Sequence, residues 1–216
     1  MTVVSGAHDL KTDIFLEACV DSVESAVRAA HQGAHRLELC ANLHLDGTTP
    51  EEDQIRAVLR AVEIPVKVMI RPRGGDFRYS ATEFSHMVYT IERCKTLGVP
   101  EIATGVLHDD NSLDVDRISQ LAAAAHPMTV TIHKCIDLVP DIFAAIRQLK
   151  SVPNITHILS SGQAATAWEG RDRLKQLLSA CGNDLVLIAA GNVTQENLLD
   201  LISATGIHTY HGRKIV

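Results

Sequence analysis

The sequence predicts an α/β protein with the architecture of a (β/α)8 TIM barrel. Short runs rich in β-branched residues alternate with longer segments of helical periodicity, and eight such runs can be counted. The alternation extends along the whole 216-residue chain. Because no linker, low-complexity stretch or shift in composition divides the chain, we expect a single domain over residues 1–216.

The strand candidates are short and evenly distributed along the chain. Strands that alternate with helices pair in parallel through right-handed crossovers, and eight such units favour a closed barrel. The alternative is an open doubly wound sheet, which usually begins with a glycine-rich turn. Residues 19–22, at the first turn, contain no glycine. The eight candidates occupy residues 14–20, 36–40, 66–71, 102–107, 128–133, 155–160, 184–190 and 207–211.

The segments between the strands carry the signals of helix ends. Residues 21–24, Asp-Ser-Val-Glu, have the pattern of a capping box, and Gly33 is placed to end the helix that follows. Pro50, followed by two glutamates, indicates the start of the second helix. The later helices are predicted at residues 80–98, 114–125, 140–150, 168–180 and 194–204.

The two ends of the chain carry an expectation about assembly. Only five residues follow the last predicted strand, so the eighth helix is expected to be short or missing. The outer wall beside that strand then needs cover, either from an N-terminal arm of residues 1–13 or from another subunit. A homodimer or a higher homo-oligomer is expected on the second alternative.

Composition excludes several functional classes. The net charge is −6, no basic patch dominates, and aromatic residues make up only 4% of the chain, so nucleic acid is not an expected partner. The apolar runs are too short for a membrane span, and the first residues lack the features of an export signal. We therefore expect a cytoplasmic protein with five reduced cysteines and no organic cofactor.

Alternation along the first three strands predicts a polar wall inside the barrel. Side chains of a strand point to opposite faces in turn, so one face of each strand shares the barrel interior. These charges fit either a structural network of paired groups or a site at the C-terminal strand ends, where barrel enzymes carry their chemistry. The inward residues are Glu17, Cys19, Glu38, Cys40, Lys67, Met69 and Arg71.

Candidate residues for proton transfer are Glu17, Glu38 and His133. The two glutamates lie on the polar wall, and His133 ends the fifth strand near the barrel mouth. A histidine in that place can act as a general acid or base or as a metal ligand. It can equally be a structural residue with satisfied hydrogen bonds.

Candidate residues for anion binding are Arg71, Arg73, Lys134 and His211. The loop of residues 71–77 has two arginines around a proline and then two glycines, which let a backbone approach a ligand closely. Arginine recognises carboxylates and phosphates through paired hydrogen bonds. The alternative is an ordinary turn with solvated arginines.

Cys19 and Cys40 are candidates for a shared metal site. They lie at the ends of neighbouring strands and could both ligate one soft metal ion. Cu(I) suits such a site because thiolates prefer soft ions. Zinc would require further ligands in a tetrahedral arrangement. Buried cysteines are also common as small apolar fillers, and that alternative stays open from the residues alone.

Several stretches together resemble the CutC copper homeostasis protein family. They are residues 17–26 (EACVDSVESA), 36–41 (RLELCA), 47–50 (GTTP) and, as the most specific, 68–77 (VMIRPRGGDF). The resemblance extends from Leu16 to His211. It implies a TIM barrel, a cytoplasmic homo-oligomer and Cu(I) binding at Cys19 and Cys40.

Two functional hypotheses follow. The first is a cytosolic Cu(I)-binding protein that uses Cys19 and Cys40. The second is a TIM-barrel enzyme that acts on a small anionic substrate, a phosphate or a carboxylate, at the C-terminal face of the barrel. The expected partner is accordingly a copper ion or a small anionic molecule.

Overall fold

The computed structural model of the protein describes residues 14–216, and the predicted N-terminal arm (1–13) lies outside the described residues. Eight parallel strands close into a barrel in sequential order. This confirms the TIM barrel, and the open doubly wound alternative was wrong. The strands are β1 Phe15–Val20, β2 Arg36–Leu39, β3 Val66–Met69, β4 Glu101–Thr104, β5 Thr129–Ile132, β6 Ile155–Ser160, β7 Val186–Ala189 and β8 Thr209–Gly212.

Seven α-helices separate the strands within residues 14–216, and no helix follows β8 there. The last helix begins later than the predicted residue 194, because Asn197 accepts a side-chain hydrogen bond from the Thr194 amide and holds that segment as a turn. The helices are α1 Val23–His31, α2 Glu52–Ala61, α3 Ala81–Thr96, α4 Val115–Ala125, α5 Ile142–Leu149, α6 Arg171–Cys181 and α7 Leu198–Thr205.

The capping box of α1 is shifted by one residue from the predicted segment 21–24. Ser22 is the N-cap, and its hydroxyl oxygen accepts a hydrogen bond from the Ser25 amide at 3.1 Å. The Ser25 hydroxyl oxygen in turn accepts one from the Ser22 amide at 3.1 Å. A serine hydroxyl here takes the part that Glu or Gln usually plays, which satisfies two of the free amides at the helix start.

The two faces of the barrel wall differ as alternation predicts. Leu37 and Leu39 of β2 and Val68 of β3 are fully buried in the apolar layer between the strands and the helices. Their neighbours Glu38 and Lys67 face the interior and are buried there as charged or polar groups. The register pairs Glu38 with Lys67 across β2 and β3, so polar side chains occupy one level of the barrel.

None of the helices within residues 14–216 combines the length and the apolar character that crossing a membrane requires.

Candidate functional site

The C-terminal ends of the strands open into one cavity of about 840 Å³. Most of the residues singled out in the sequence contribute to its lining: Cys19, Glu38, Cys40, Arg71, His133, Lys134 and His211. Glu17 lies deeper in the barrel and is fully buried, and Arg73 lies outside the lining. The loops after β7 and β8 add Asn192, Arg213 and Lys214.

Two thiols and a carboxylate meet on one wall of this cavity. The sulfur atoms of Cys19 and Cys40 and a carboxylate oxygen of Glu38 all lie within 4.8 Å of one another. The Cys40 thiol also contacts Glu38 Oε2 at 3.6 Å. The β1–β2 register explains the cluster, because Cys19 pairs with Glu38 and Cys40 follows two residues later on the same face of the chain.

The two thiols differ in acidity. A hydrogen bond with Cys40 lowers the pKa of Cys19 to about 5, and His211 adds to this effect. The same interaction with Cys19, together with burial, raises the pKa of Cys40 well above its usual range. At neutral pH the pair therefore consists of one thiolate and one thiol, and the thiolate is the form that binds soft metals.

His211 connects the thiol cluster to the carboxylates. Its Nδ1 lies 2.9 Å from Glu17 Oε1, and its Nε2 lies 3.7 Å from Glu38 Oε2. Burial alone would lower the pKa of His211, but the two carboxylates and Cys19 hold it well above its usual range. Burial raises the pKa of Glu38 to about 7, against the opposing effect of the imidazolium.

Glu17 belongs to a buried ion network below the cavity. Its Oε2 accepts a hydrogen bond from the Lys67 ammonium at 2.7 Å and another from Arg36, whose guanidinium also donates to Glu101 at 2.8 Å. Burial alone would raise the pKa of Glu17, but Lys67 and the other cations hold it well below its usual range. Such pairing makes buried charges tolerable.

The charged groups around Glu38 are equal in number. Burial raises the pKa of Glu38 itself to about 7. Around it stand three cations and three anions: Arg36, Lys67 and His211 against Glu17, Glu101 and the Cys19 thiolate.

His133 is held as a neutral imidazole. Burial lowers its pKa to about 3, and the nearby Arg71 contributes to the same effect. Its Nδ1 accepts a hydrogen bond from the Cys135 amide at 3.3 Å, which caps the short 3-10 helix Lys134–Leu138. The proton of the neutral ring is therefore on Nε2, which is buried and has no hydrogen-bond partner among the described residues.

Arg71 and Arg73 take different places although one proline separates them. Arg71 is 3% exposed, and its terminal nitrogens donate to the carbonyl oxygens of Leu45, Gly47 and Gly75. It thereby ties the β2 loop to the β3 loop. Arg73 points to the outer surface and pairs with Glu83 at 2.6 Å and Asp76 at 2.9 Å.

The loop after β5 is organised by the carboxylate of Asp137. Asp137 accepts hydrogen bonds from the hydroxyls of Ser160 and Ser161 and from the amides of Ser161 and Gln163. Lys134 lies 3.9 Å from it and keeps its ammonium at the cavity. Sequence alone does not distinguish an acidic residue that organises a loop from one that is merely solvated.

The comparison with known families agrees with this geometry. The model of the CutC family matches residues 14–216. The chain belongs to the CutC family. The copper homeostasis protein cutC homolog of Mus musculus is 37% identical over 209 residues, which cover 97% of this chain and 76% of the mouse protein. The family protein CutC of Chromobacterium violaceum is 39% identical over 199 residues, which cover 92% of this chain and 80% of that protein.

Solved structures give the same family and a wider set of barrels. A CutC protein from Streptococcus agalactiae has a TM-score of 0.90 and 31% identity, with 94% of this chain and 100% of that chain covered. A phosphonopyruvate hydrolase has a TM-score of 0.68 at 12% identity, which shows a common fold alone. The relatives of the CutC family are linked to copper homeostasis through their names. The chemistry of this chain has to follow from the residues of its site.

Proposed function

We propose that this chain binds Cu(I) through Cys19 and Cys40. The main support is that the two sulfur atoms lie within 4.8 Å of each other at the wall of an open cavity. Thiolates are soft ligands and favour Cu(I) over hard cations. The membership in the CutC family supports the same metal, because its mouse and human relatives are named copper homeostasis proteins.

The donor set suits a monovalent soft ion. One sulfur is already a thiolate at neutral pH, and binding of the metal would release the proton of the second. Glu38 is the third group within 4.8 Å, and within residues 14–216 no fourth Cys, His, Asp or Glu completes the same set. Structural zinc sites need four such ligands, so the pair fits Cu(I) better than a structural Zn(II).

The test is a competition for Cu(I) under anaerobic conditions. The purified chain competes with a chromogenic Cu(I) chelator, and the Cys19→Ser/Cys40→Ser double variant is measured beside it. A Cys94→Ala/Cys181→Ala variant is the matched control, because it also loses two cysteines, which lie away from the cavity. We expect one Cu(I) per chain in the parent and in the control. Unchanged Cu(I) affinity in the serine variant would overturn the proposal.

A second candidate function is an enzyme that acts on a small anionic substrate. The favouring observation is the size and charge of the cavity, whose volume of about 840 Å³ far exceeds the volume of a metal ion. Lys134, Arg213 and Lys214 surround its mouth. No carboxylate of residues 14–216 lies within ion-pair distance of Arg213 or Lys214. Arg213 donates a hydrogen bond to the Leu43 carbonyl oxygen.

Thermal stabilisation by anions tests this second function. A ligand that binds only the folded state raises the unfolding temperature by mass action. We expect inorganic phosphate or small carboxylates to stabilise the parent, and the Arg213→Gln/Lys214→Gln variant to lose that stabilisation. An unchanged melting temperature over the whole panel of anions would exclude the substrate site.

We propose further that the protein works in the cytoplasm as a homodimer or a higher homo-oligomer. All five cysteines are free, which suits a reducing compartment. Leu199 on α7 and Tyr89 on α3 are large apolar side chains, 67% and 62% exposed, on the outer wall of the barrel. Sedimentation velocity and cell fractionation test the two statements, and a monomer at all concentrations would exclude the assembly.

A further inference from the structure

Two residues that line the cavity each carry a buried hydrogen-bond donor that has no acceptor among residues 14–216. The first is His133 Nε2, on a side chain that is 4% exposed. Because Nδ1 accepts from the Cys135 amide and the ring is neutral, Nε2 carries the proton and can only donate. Gly105 leaves the room for this ring, since a Cβ atom there would lie 2.9 Å from His133 Cε1.

The second donor is Arg71 Nε. The terminal nitrogens of this guanidinium are engaged by three backbone carbonyl oxygens, which fix its plane. Nε has no hydrogen-bond partner among the described residues, although the side chain is only 3% exposed. A buried donor without an acceptor is unfavourable, and native structures leave few of them unsatisfied.

The two donors belong to one wall. The Phe77 ring lies 4.9 Å from the His133 ring and 4.7 Å from the Arg71 guanidinium carbon. All three residues line the same cavity, and the Lys134 ammonium borders it next to them. The wall therefore presents two fixed N–H groups beside an aromatic ring, with a cation nearby. No oxygen of the described residues accepts a hydrogen bond from either group, and the Tyr79 hydroxyl beside Arg71 is also buried without a partner there.

We propose that the wall formed by Arg71, Phe77 and His133 binds the carboxylate of a small molecule, whose oxygens accept from Arg71 Nε and His133 Nε2. The inference rests on the second candidate function and names the substrate class of that site. It is separate from the thiols, which occupy the wall of β1 and β2.

A carboxylate matches this wall better than a phosphate. It is flat, so it fits beside the Phe77 ring, and its two oxygens can accept two donors that come from different strands. The paired terminal nitrogens with which arginine holds a phosphate are already bound to loop carbonyls. The cations Arg213 and Lys214 line the same cavity and are available to a second anionic group of a larger molecule.

The test uses two substitutions that separate the donor from the helix cap. His133→Asn keeps an oxygen that can accept from the Cys135 amide but has no group at the position of Nε2. His133→Gln extends far enough to keep an N–H there. The probes are oxalate, its uncharged diamide oxamide, and inorganic phosphate, each titrated by calorimetry into the purified full chain. Circular dichroism melting checks that both variants are folded.

We expect oxalate to bind the parent and oxamide to bind at least about tenfold more weakly, because a charged acceptor is exchanged for a neutral one. His133→Asn should lower the oxalate affinity about tenfold, the loss of one hydrogen bond to a charged group, while His133→Gln stays within about threefold of the parent. Oxalate affinity that is equal in the parent and in folded His133→Asn would overturn the inference and leave a bound water as the partner of Nε2.

The phosphate titration separates this inference from the function on which it rests. Phosphate binding that depends on Arg213 and Lys214, together with no oxalate binding, would overturn the carboxylate site and keep the anionic substrate. No binding of either anion would overturn both.

Discussion

The Lys67 ammonium lies 2.7 Å from the Glu17 carboxylate, and both side chains are completely buried inside the barrel. The pair is the centre of the ion network below the cavity. Removal of one partner leaves the other as an uncompensated charge, so we expect Lys67→Met to lower the free energy of unfolding by about 3 kcal/mol. Arg36 and His211 still contact Glu17 and keep the loss from being larger. Urea denaturation measures it.

The control for this prediction is an exposed ion pair of the same protein. Arg56 and Glu52 on α2 are 41% and 36% exposed, so Arg56→Met should cost no more than about 1 kcal/mol. The Glu17→Gln/Lys67→Met double variant should lose less than the sum of its single variants, because it removes both charges. Additive losses would contradict a direct interaction between the two groups.

Alternation along the strands was sufficient to predict the polar interior. It assigned Glu38 and Cys40 to one face of β2 and Leu37 and Leu39 to the other, and the structure confirms both faces. Period-two patterning carries this information because a one-residue slip would expose the whole apolar face. The eight strands were predicted from short runs of β-branched residues that alternate with helical segments.

The register between strands could not be predicted. Cys19 pairs with Glu38, so equivalent residues of the two Glu-x-Cys motifs lie at different heights in the barrel. The stagger of a barrel depends on all eight strands together and is not written in any one of them. The Arg36–Glu101 ion pair, which joins residues 65 positions apart, follows from that stagger and was missed.

His157 should make the protein less stable as the pH falls. Burial lowers its pKa to about 3, with contributions from Lys67 and Arg36, whereas the unfolded chain titrates near 6.5. The unfolded state therefore binds a proton that the folded state refuses, and stability is lost as the pH drops below about 6.5. This contribution should reach about 2 kcal/mol between pH 8 and about pH 5. Over this pH range the free energy of unfolding of the His157→Gln variant should fall by about 2 kcal/mol less than that of the parent. Urea denaturation measures both proteins, and an equal pH dependence in the two would contradict the assignment to His157.

Cys19 should be alkylated before the other four cysteines. Its pKa of about 5 makes it a thiolate at neutral pH, and it is the one cysteine of the chain that is partly exposed. Burial raises the pKa of Cys94 to about 12 and that of Cys181 to about 11, so these should react slowly. Brief iodoacetamide treatment followed by peptide mass spectrometry gives the order of reaction.

The dependence of Cys19 on its neighbour provides the control for that experiment. Cys40→Ala removes the hydrogen bond that is the largest cause of the low pKa of Cys19. The alkylation rate of Cys19 near pH 6 should therefore fall, while the rate near pH 9 should change little because the thiolate then forms in both proteins. A variant that reacts as fast as the parent near pH 6 would show that Cys40 does not set the acidity.

Arg71 and Arg73 should respond differently to the same substitution. Arg71→Lys cannot satisfy the carbonyl oxygens of Leu45, Gly47 and Gly75 together, because an ammonium lacks the planar fork of donors. We expect it to lower the free energy of unfolding by about 3 kcal/mol. Arg73→Lys keeps a cation beside Asp76 and Glu83 on the surface, where exposed pairs contribute at most about 1 kcal/mol. Urea denaturation of both variants in parallel compares their free energies of unfolding. A similar decrease in the two variants would mean that the guanidinium of Arg71 does not hold the loops after β2 and β3 together.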